Sequence, residues 1–255
     1  MRQEGRTQFL IVGTYRSGSS AVVEAVNSHP RILCGYEWTL RIPAWRKVRV
    51  AQAALNGDFS DLIARHRDVA SAGLTPGIRV LGFKQLFRSS DKWVLHPRCA
   101  AALVVDRLGA HLRWLAANPR IRIVHIVRQD NVAWLRSKVL ADASRQYSGG
   151  RYPDGLRLSV GIAEAKRRVR AKLWIDQRLT VLSTSNPYCR VKFEDFAADN
   201  PGVTRNLVRF LGVDPGELPS NGLRHQSQSV ESRAALENAE EVRRALGNLA
   251  WIPSV

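Results

Sequence analysis

The stretch FLIVGTYRSGSS, residues 9–20, decides the fold of this chain. Residues 9–12 form a short apolar run that ends in Gly13, which is typical of a buried parallel strand. Residues 19–28 carry apolar side chains at helical spacing and predict a helix. A glycine-containing turn therefore joins a strand to a helix, and such a turn directs backbone N–H groups towards an anion at the helix N-terminus.

The same alternation of strands and helices continues along the chain. Further strands are predicted at residues 32–34, 80–83, 121–127 and 189–193, and further helices at 40–55, 98–117, 132–143, 160–184 and 203–211. This order predicts an α/β fold, with a P-loop-like parallel sheet of about five strands and helices on both faces. We expect a single domain over residues 1–255, with its ligand at the carboxyl ends of the strands.

Composition excludes several classes of protein. Of 255 residues, 45% are apolar and 24% charged, which excludes disordered, collagen-like and coiled-coil chains. No apolar run approaches the roughly 20 residues of a membrane helix, and the N-terminus lacks a signal peptide, so we expect a cytoplasmic protein without a membrane partner. Because Cys34, Cys99 and Cys189 lie far apart and the histidines lack ligand spacing, no metal site is expected.

The net charge of +17 indicates a preference for anions. Phosphates, sulfates, acidic sugars and nucleic acids all fit such a charge, so a polyanion-binding module is one hypothesis. The basic residues are scattered and no nucleic-acid-reading motif is present, so we expect no nucleic acid partner. Salt-dependent binding to random DNA would support the polyanion-binding hypothesis.

The first turn departs from the nucleotide-binding P-loop at one position. Gly13 and Gly18 have the spacing of GxxxxGK[ST], but Ser19 replaces the lysine and the loop's positive charge is at Arg16. A kinase or NTPase needs that lysine on the β/γ-phosphates, so this alternative is disfavoured, and Mg²⁺-dependent ATP turnover would support it. The turn suits a less charged anion held without a metal, such as a phosphosulfate.

Three segments resemble a known family. They are TYRSGSS (residues 14–20), NSHP (27–30) and CGYE (34–37), and they resemble the 5′-phosphosulfate segment of sulfotransferases that use 3′-phosphoadenosine 5′-phosphosulfate (PAPS). The resemblance is closest to the carbohydrate and tyrosylprotein branches and their bacterial relatives. It implies that the first loop holds the 5′-phosphosulfate of PAPS through Arg16, Ser17, Gly18, Ser19 and Ser20.

A second strand-turn-helix unit follows at residues 123–137. Arg128 stands at the strand end and Ser137 on the next helix, and the resemblance implies that they bind the 3′-phosphate. The family spacing is most often eight residues, whereas here it is nine and the eighth position is Arg136. One extra residue rotates a helical side chain by about 100°. Whether Ser137 or Arg136 completes the site therefore stays open.

The resemblance also implies catalytic roles. Glu37 would act as the base for an acceptor hydroxyl, while Arg16 and Lys84 would stabilise the developing charge without a metal. Phe193 would lie near the adenine or belong to the core. The chain is thus predicted to be a sulfotransferase that acts on a carbohydrate, natural product or other small acceptor, whose identity the sequence leaves open, like the oligomeric state.

Overall fold

The structure is a computed structural model that describes residues 6–35, 77–87, 107–147, 152–219, 235–247 and 249. The strands are β1 (Thr7–Thr14), β2 (Ile32–Gly35), β3 (Val80–Phe87), β4 (Arg122–Val127), β5 (Arg157–Leu158), β6 (Tyr188–Lys192) and β7 (Ala235–Leu236). The α-helices are α1 (Ser19–Asn27), α2 (Arg107–Ala116), α3 (Asn131–Ser144), α4 (Ile162–Thr180), α5 (Phe193–Ala198), α6 (Asn200–Leu211) and α7 (Ala239–Leu246). The helix predicted over residues 40–55 lies outside the described residues.

Five of these strands form one parallel sheet in the order β2-β3-β1-β4-β6. The central strand β1 pairs with β3 on one side and β4 on the other, so that Ile11 stands beside both Lys84 and Val124. The predicted parallel sheet is confirmed. Because every strand runs in the same direction, the turns that follow β1 and β4 meet at one edge.

Helices cover both faces of the sheet, as predicted. Along β1, Leu10 and Val12 pack in one buried cluster with side chains of α2 and α4. Phe9 and Ile11 point the other way, into a cluster with α1 and α6. Successive side chains of a strand point to opposite faces, so a continuous apolar run is buried on both sides.

The boundaries differ from the prediction at the ends of elements. Strand β3 continues to Phe87, because β1 still pairs with it there, and Lys84 therefore lies within the strand instead of after it. Residue Phe193, predicted to end a strand, begins α5. Helices α5 and α7 and the two-residue parallel pairing of β5 with β7 were not predicted from the sequence. None of the helices in the described ranges is long and apolar enough to cross a membrane.

A cluster of polar side chains is buried beneath the sheet. Lys172 and Asp176, at successive turns of α4, form an ion pair of 3.1 Å with both side chains almost fully buried. The Lys172 ammonium also donates to Asn131 Oδ1 over 3.2 Å, at the first residue of α3. A buried cation needs such partners. The cluster therefore links α4 to the start of the helix that follows β4.

Candidate functional site

The first turn is shaped by two residues with left-handed backbone conformation. Arg16 has φ 68° and Gly18 has φ 87°. A Cβ on Gly18 would overlap the ring of Phe193, so this position combines a positive φ with a close approach that only glycine permits. Arg16 adopts a conformation that is unusual for a residue with a side chain, and such strain is concentrated at functional sites.

The N-terminus of α1 has no side-chain cap among the described residues. Gly18 is its N-cap, and its first turn contains no acidic residue. The first N–H groups of a helix lack intrahelical acceptors and carry partial positive charge. This turn therefore offers backbone donors, as the sequence predicts.

The three serines of the loop are placed differently. Ser17 is completely buried, and its Oγ lies beneath the loop, 3.3 Å from where a Cβ on Gly13 would be. Ser19 is 4% exposed. Ser20 Oγ accepts a hydrogen bond of 3.0 Å from the ammonium of Lys84. The Ser17 hydroxyl thus faces β1, whereas Ser20 joins the loop to β3.

Lys84 brings a buried cation to the start of α1. The side chain belongs to β3 and the residue is only 4% exposed. Ser20 occupies the P-loop position whose hydroxyl binds Mg²⁺ in NTPases. Here that hydroxyl accepts from an ammonium, so a protein cation lies where nucleoside-triphosphate chemistry places a metal.

Arg128 lies at the junction of the two turns. Its Nη1 is 3.5 Å from the carbonyl oxygen of Arg16, and its guanidinium lies 4.8 Å from the centre of the Phe193 ring. The Nε atom is buried without a hydrogen-bond partner among the described residues. Burial lowers the pKa of Arg128, an effect that the carboxylates of Glu194 and Asp130 partly offset. The guanidinium remains charged at neutral pH.

The backbone of the second turn is already occupied by carboxylates. Glu194 accepts from the N–H of Gln129 at 3.0 and 3.1 Å and from the N–H of Asp130 at 3.0 Å. Asp130 is the N-cap of α3 and accepts from the N–H of Ala133 at 2.8 Å. Three N–H groups of this turn are therefore already satisfied by carboxylates of the protein.

Arg16 joins the two turns directly. Its Nε donates to Ser137 Oγ at 2.9 Å, and Ser137 is a buried residue of α3. Its Nη2 donates to the hydroxyl of Tyr152 at 2.7 Å, and its Nη1 to the carbonyl of Tyr147 at 2.8 Å. The structure thus places the guanidinium of Arg16 against α3.

A cavity of about 260 Å³ opens beside this junction, between α3 and α7. Both Ser137 and Arg136 line it, together with Arg128, so the nine-residue spacing leaves both candidates at the same cavity. The remaining lining residues are Asp130, Val132, Ala133, Leu140, Tyr152, Ala239 and Arg243. Three arginines and one aspartate give the cavity a net positive charge, which suits an anion.

The model of the family described as "Sulfotransferase family" matches residues 8–217. The chain belongs to the sulfotransferase family. A sulfotransferase from Alicyclobacillus acidocaldarius has a similar structure, with 17% identity, a TM-score of 0.51 and coverage of 96% of this chain and 94% of that chain. The sulfotransferase domain from the Synechococcus PCC 7002 olefin synthase aligns at 16% identity and a TM-score of 0.43, with 99% of both chains covered. No curated protein matches.

The sulfotransferase fold brings most of the predicted site residues to one edge of the sheet. The first loop, Lys84, Arg128, Ser137 and Phe193 all lie there. Phe193 packs against Gly18 and beneath Arg128, and so fills the space between the two turns. Glu37, the predicted base, lies outside the described residues.

Two side chains of this candidate site were not predicted from the sequence. Trp134 donates its indole N–H to the carbonyl of Tyr15 at 2.8 Å, which fastens α3 to the first loop. Tyr152 contacts Arg16 from the segment between α3 and β5. A tyrosine in such a segment carries no spacing signal, because its partner lies 136 residues away along the chain.

Proposed function

We propose that this chain transfers a sulfuryl group from PAPS to a hydroxyl of a carbohydrate, natural product or other small acceptor. The observation that supports it most is the junction of the two turns. Arg128 approaches the first loop to 3.5 Å, and Arg16 reaches across to Ser137 on α3. One molecule with charged groups at two positions, such as a 3′,5′-substituted adenosine, can contact both turns at once.

In this proposal, different parts of the site bind the two charged groups of the donor. The open N-terminus of α1 supplies N–H groups for the 5′-phosphosulfate, and Arg128 supplies a guanidinium for the 3′-phosphate. Ser137 and Arg136 border the same cavity as Arg128. Phe193, packed between the turns, has an aromatic ring that suits a nearby adenine.

Lys84 suits the chemistry of sulfuryl transfer. In the reaction the bond from sulfur to the phosphate oxygen breaks and a bond to the acceptor oxygen forms. The buried ammonium beside Ser20 stabilises charge on the departing phosphate oxygen. In this proposal Glu37 takes the acceptor proton, since a carboxylate is a suitable general base.

Calorimetry with the desulfonated product, 3′-phosphoadenosine 5′-phosphate, tests the donor assignment. We expect binding that is much tighter than that of adenosine 5′-monophosphate and that needs no Mg²⁺, followed by PAPS turnover with a panel of hydroxyl acceptors. Equal affinities for the two nucleotides would contradict the proposal. Mg²⁺-dependent ATP hydrolysis would favour the kinase or NTPase alternative instead.

Arg16→Ala tests the charge-stabilising role within the same reaction. Removing a guanidinium that meets developing charge costs on the order of 10²–10³ in rate. The measurement is kcat with saturating PAPS, compared with the wild-type chain. Wild-type activity in the variant would remove Arg16 from the mechanism.

A further inference from the structure

In the described part of the segment that follows α3, Tyr152 contacts Arg16 through its side chain. Its hydroxyl oxygen lies 2.7 Å from Arg16 Nη2 and 3.2 Å from the carbonyl oxygen of Ser137. The residue is 2% exposed. It lies 15 residues beyond Ser137 and 136 residues beyond Arg16, so a single hydroxyl connects three parts of the chain.

The hydrogen-bonding capacity of a phenol fixes the direction of these contacts. A tyrosine hydroxyl has one proton and accepts through its lone pairs, whereas a guanidinium only donates. Tyr152 must therefore donate to the Ser137 carbonyl and accept from Arg16. The buried hydroxyl therefore donates one hydrogen bond and accepts another, and these two partners fix its orientation.

The ring of Tyr152 is fixed by apolar packing. It belongs to a buried cluster with Leu140 and Ala141 of α3, against which Leu156 and Leu158 also pack. A rotation that moved the hydroxyl away from Arg16 would have to displace these contacts. The hydroxyl is thus a rigid acceptor, unlike the terminal group of a long, exposed side chain.

We propose that Tyr152 is a positioning residue of the donor site, which holds the guanidinium of Arg16 in a fixed pose against α3. Three of the five N–H groups of Arg16 donate to Ser137, Tyr147 and Tyr152. The other two project from a guanidinium whose plane is already set, so an anion that binds them does not have to order the side chain. This inference rests on the proposed function, since the anion it concerns is the donor.

The variant Tyr152→Phe tests the proposal, because it keeps the ring and removes only the hydroxyl. We expect the dissociation constant of 3′-phosphoadenosine 5′-phosphate to rise about tenfold, the magnitude typical of a lost hydrogen bond to a charged group. The KM for PAPS should rise with it. In the background of Arg16→Ala the same change should cause no further loss, because the hydroxyl acts through that guanidinium.

Tyr188→Phe is the matched control. Its hydroxyl contacts His125 at 2.5 Å, at the start of β6 and away from the carboxyl edge. Both variants should unfold at slightly lower temperatures than the wild type, but only Tyr152→Phe should weaken nucleotide binding. A purely structural role for Tyr152 would make the two variants behave alike.

The outcomes separate the inference from the proposed function. Tight nucleotide binding by the wild type with unchanged affinity in Tyr152→Phe overturns the inference alone. An equal loss from Tyr152→Phe with and without Arg16 also overturns it, because the hydroxyl would then act independently. No nucleotide binding by the wild-type chain overturns the proposed function and the inference with it.

Discussion

The turn after β1 and the turn after β4 have the same order of strand, turn and helix, yet their helix N-termini are treated in opposite ways. At α1 the N-cap is Gly18, which has no side chain to accept from the first turn. At α3 the cap is Asp130, and Glu194 accepts from the N–H groups of Gln129 and Asp130. The first helix start has no capping side chain at its N-cap, whereas three N–H groups at the second already donate to carboxylates of the protein.

In the proposed function, this difference assigns a different mode of anion recognition to each turn. Backbone N–H groups approach a phosphate or sulfate closely and carry no full charge, which suits the group that reacts. A guanidinium carries a full charge and binds with two donors, which suits a group that only anchors. In this proposal, the same local sequence pattern provides a backbone site in the turn after β1 and a side-chain site in the turn after β4.

The largest effect is expected from Gly18→Ala in the backbone site. The new methyl group would meet the Phe193 ring and force alanine into φ 87°, so we expect the affinity for 3′-phosphoadenosine 5′-phosphate to fall by on the order of 10²-fold. Calorimetry measures the loss. Gly212→Ala is the control, since Gly212 has the same φ but no atom closer than 3.6 Å to the added methyl. Wild-type affinity in Gly18→Ala would show that the loop geometry does not matter.

Arg128→Lys tests the side-chain site. Lysine keeps the charge but loses the planar fork and the contact with Phe193, so we expect affinity for the bisphosphate to fall roughly 10–100-fold and affinity for adenosine 5′-monophosphate to change little. Titration calorimetry with both nucleotides measures the contrast. Arg122→Lys, which alters an arginine at the other end of β4, should leave both affinities unchanged. An equal loss for both nucleotides would contradict a 3′-phosphate role.

Glu194→Gln tests the carboxylate that occupies the second turn. The amide has a weaker acceptor for the N–H groups of Gln129 and Asp130, so we expect the free energy of unfolding to fall by about 1–2 kcal/mol. Urea unfolding measures the change. Glu217→Gln, which breaks a partly exposed pair with Arg31, should cost less. Equal losses in the two variants would mean that Glu194 stabilises the protein no more than a partly exposed ion pair does.

Asp130→Asn should have the smallest effect, and of opposite sign. Asparagine caps a helix as well as aspartate does, while the change removes a negative charge from the cavity lined by Arg128. We expect affinity for the bisphosphate to rise about threefold at low salt and the gain to shrink as salt increases. Asp199→Asn, at the N-cap of α6, should leave affinity unchanged. Unchanged affinity at low salt would contradict an anion in this cavity.

The sequence predicts the central strands of the sheet well because they contain continuous apolar runs that are buried on both faces. The apolar run at residues 9–12 predicts the centre of β1. Pairing with β3 and β4 extends the strand to Thr7–Thr14. The pair β5–β7 has two residues in each strand and joins distant parts of the chain, so it leaves no periodic signal. Long-range pairing of this kind depends on tertiary context rather than local preference.

For the site, sequence spacing located the residues but not their contacts. The motif of the first turn predicts a binding role for Arg16, and this role stays a prediction. Its partners Tyr147 and Tyr152 follow only from the packing of the segment after α3. Lys84 was expected after a strand, and the structure buries it inside one, where it meets Ser20. Glu37 remains a prediction.

Helix α7 lines one side of the cavity, and this affects when the cavity can form during synthesis of the chain. Ala239 and Arg243 line the cavity, and Val242 and Leu246 pack into a buried cluster with Val132 and Leu135 of α3. The ribosome synthesises α7 more than 200 residues after the first turn. A nascent chain can therefore form much of its sheet early, yet it gains a complete pocket only after α7 has emerged and docked.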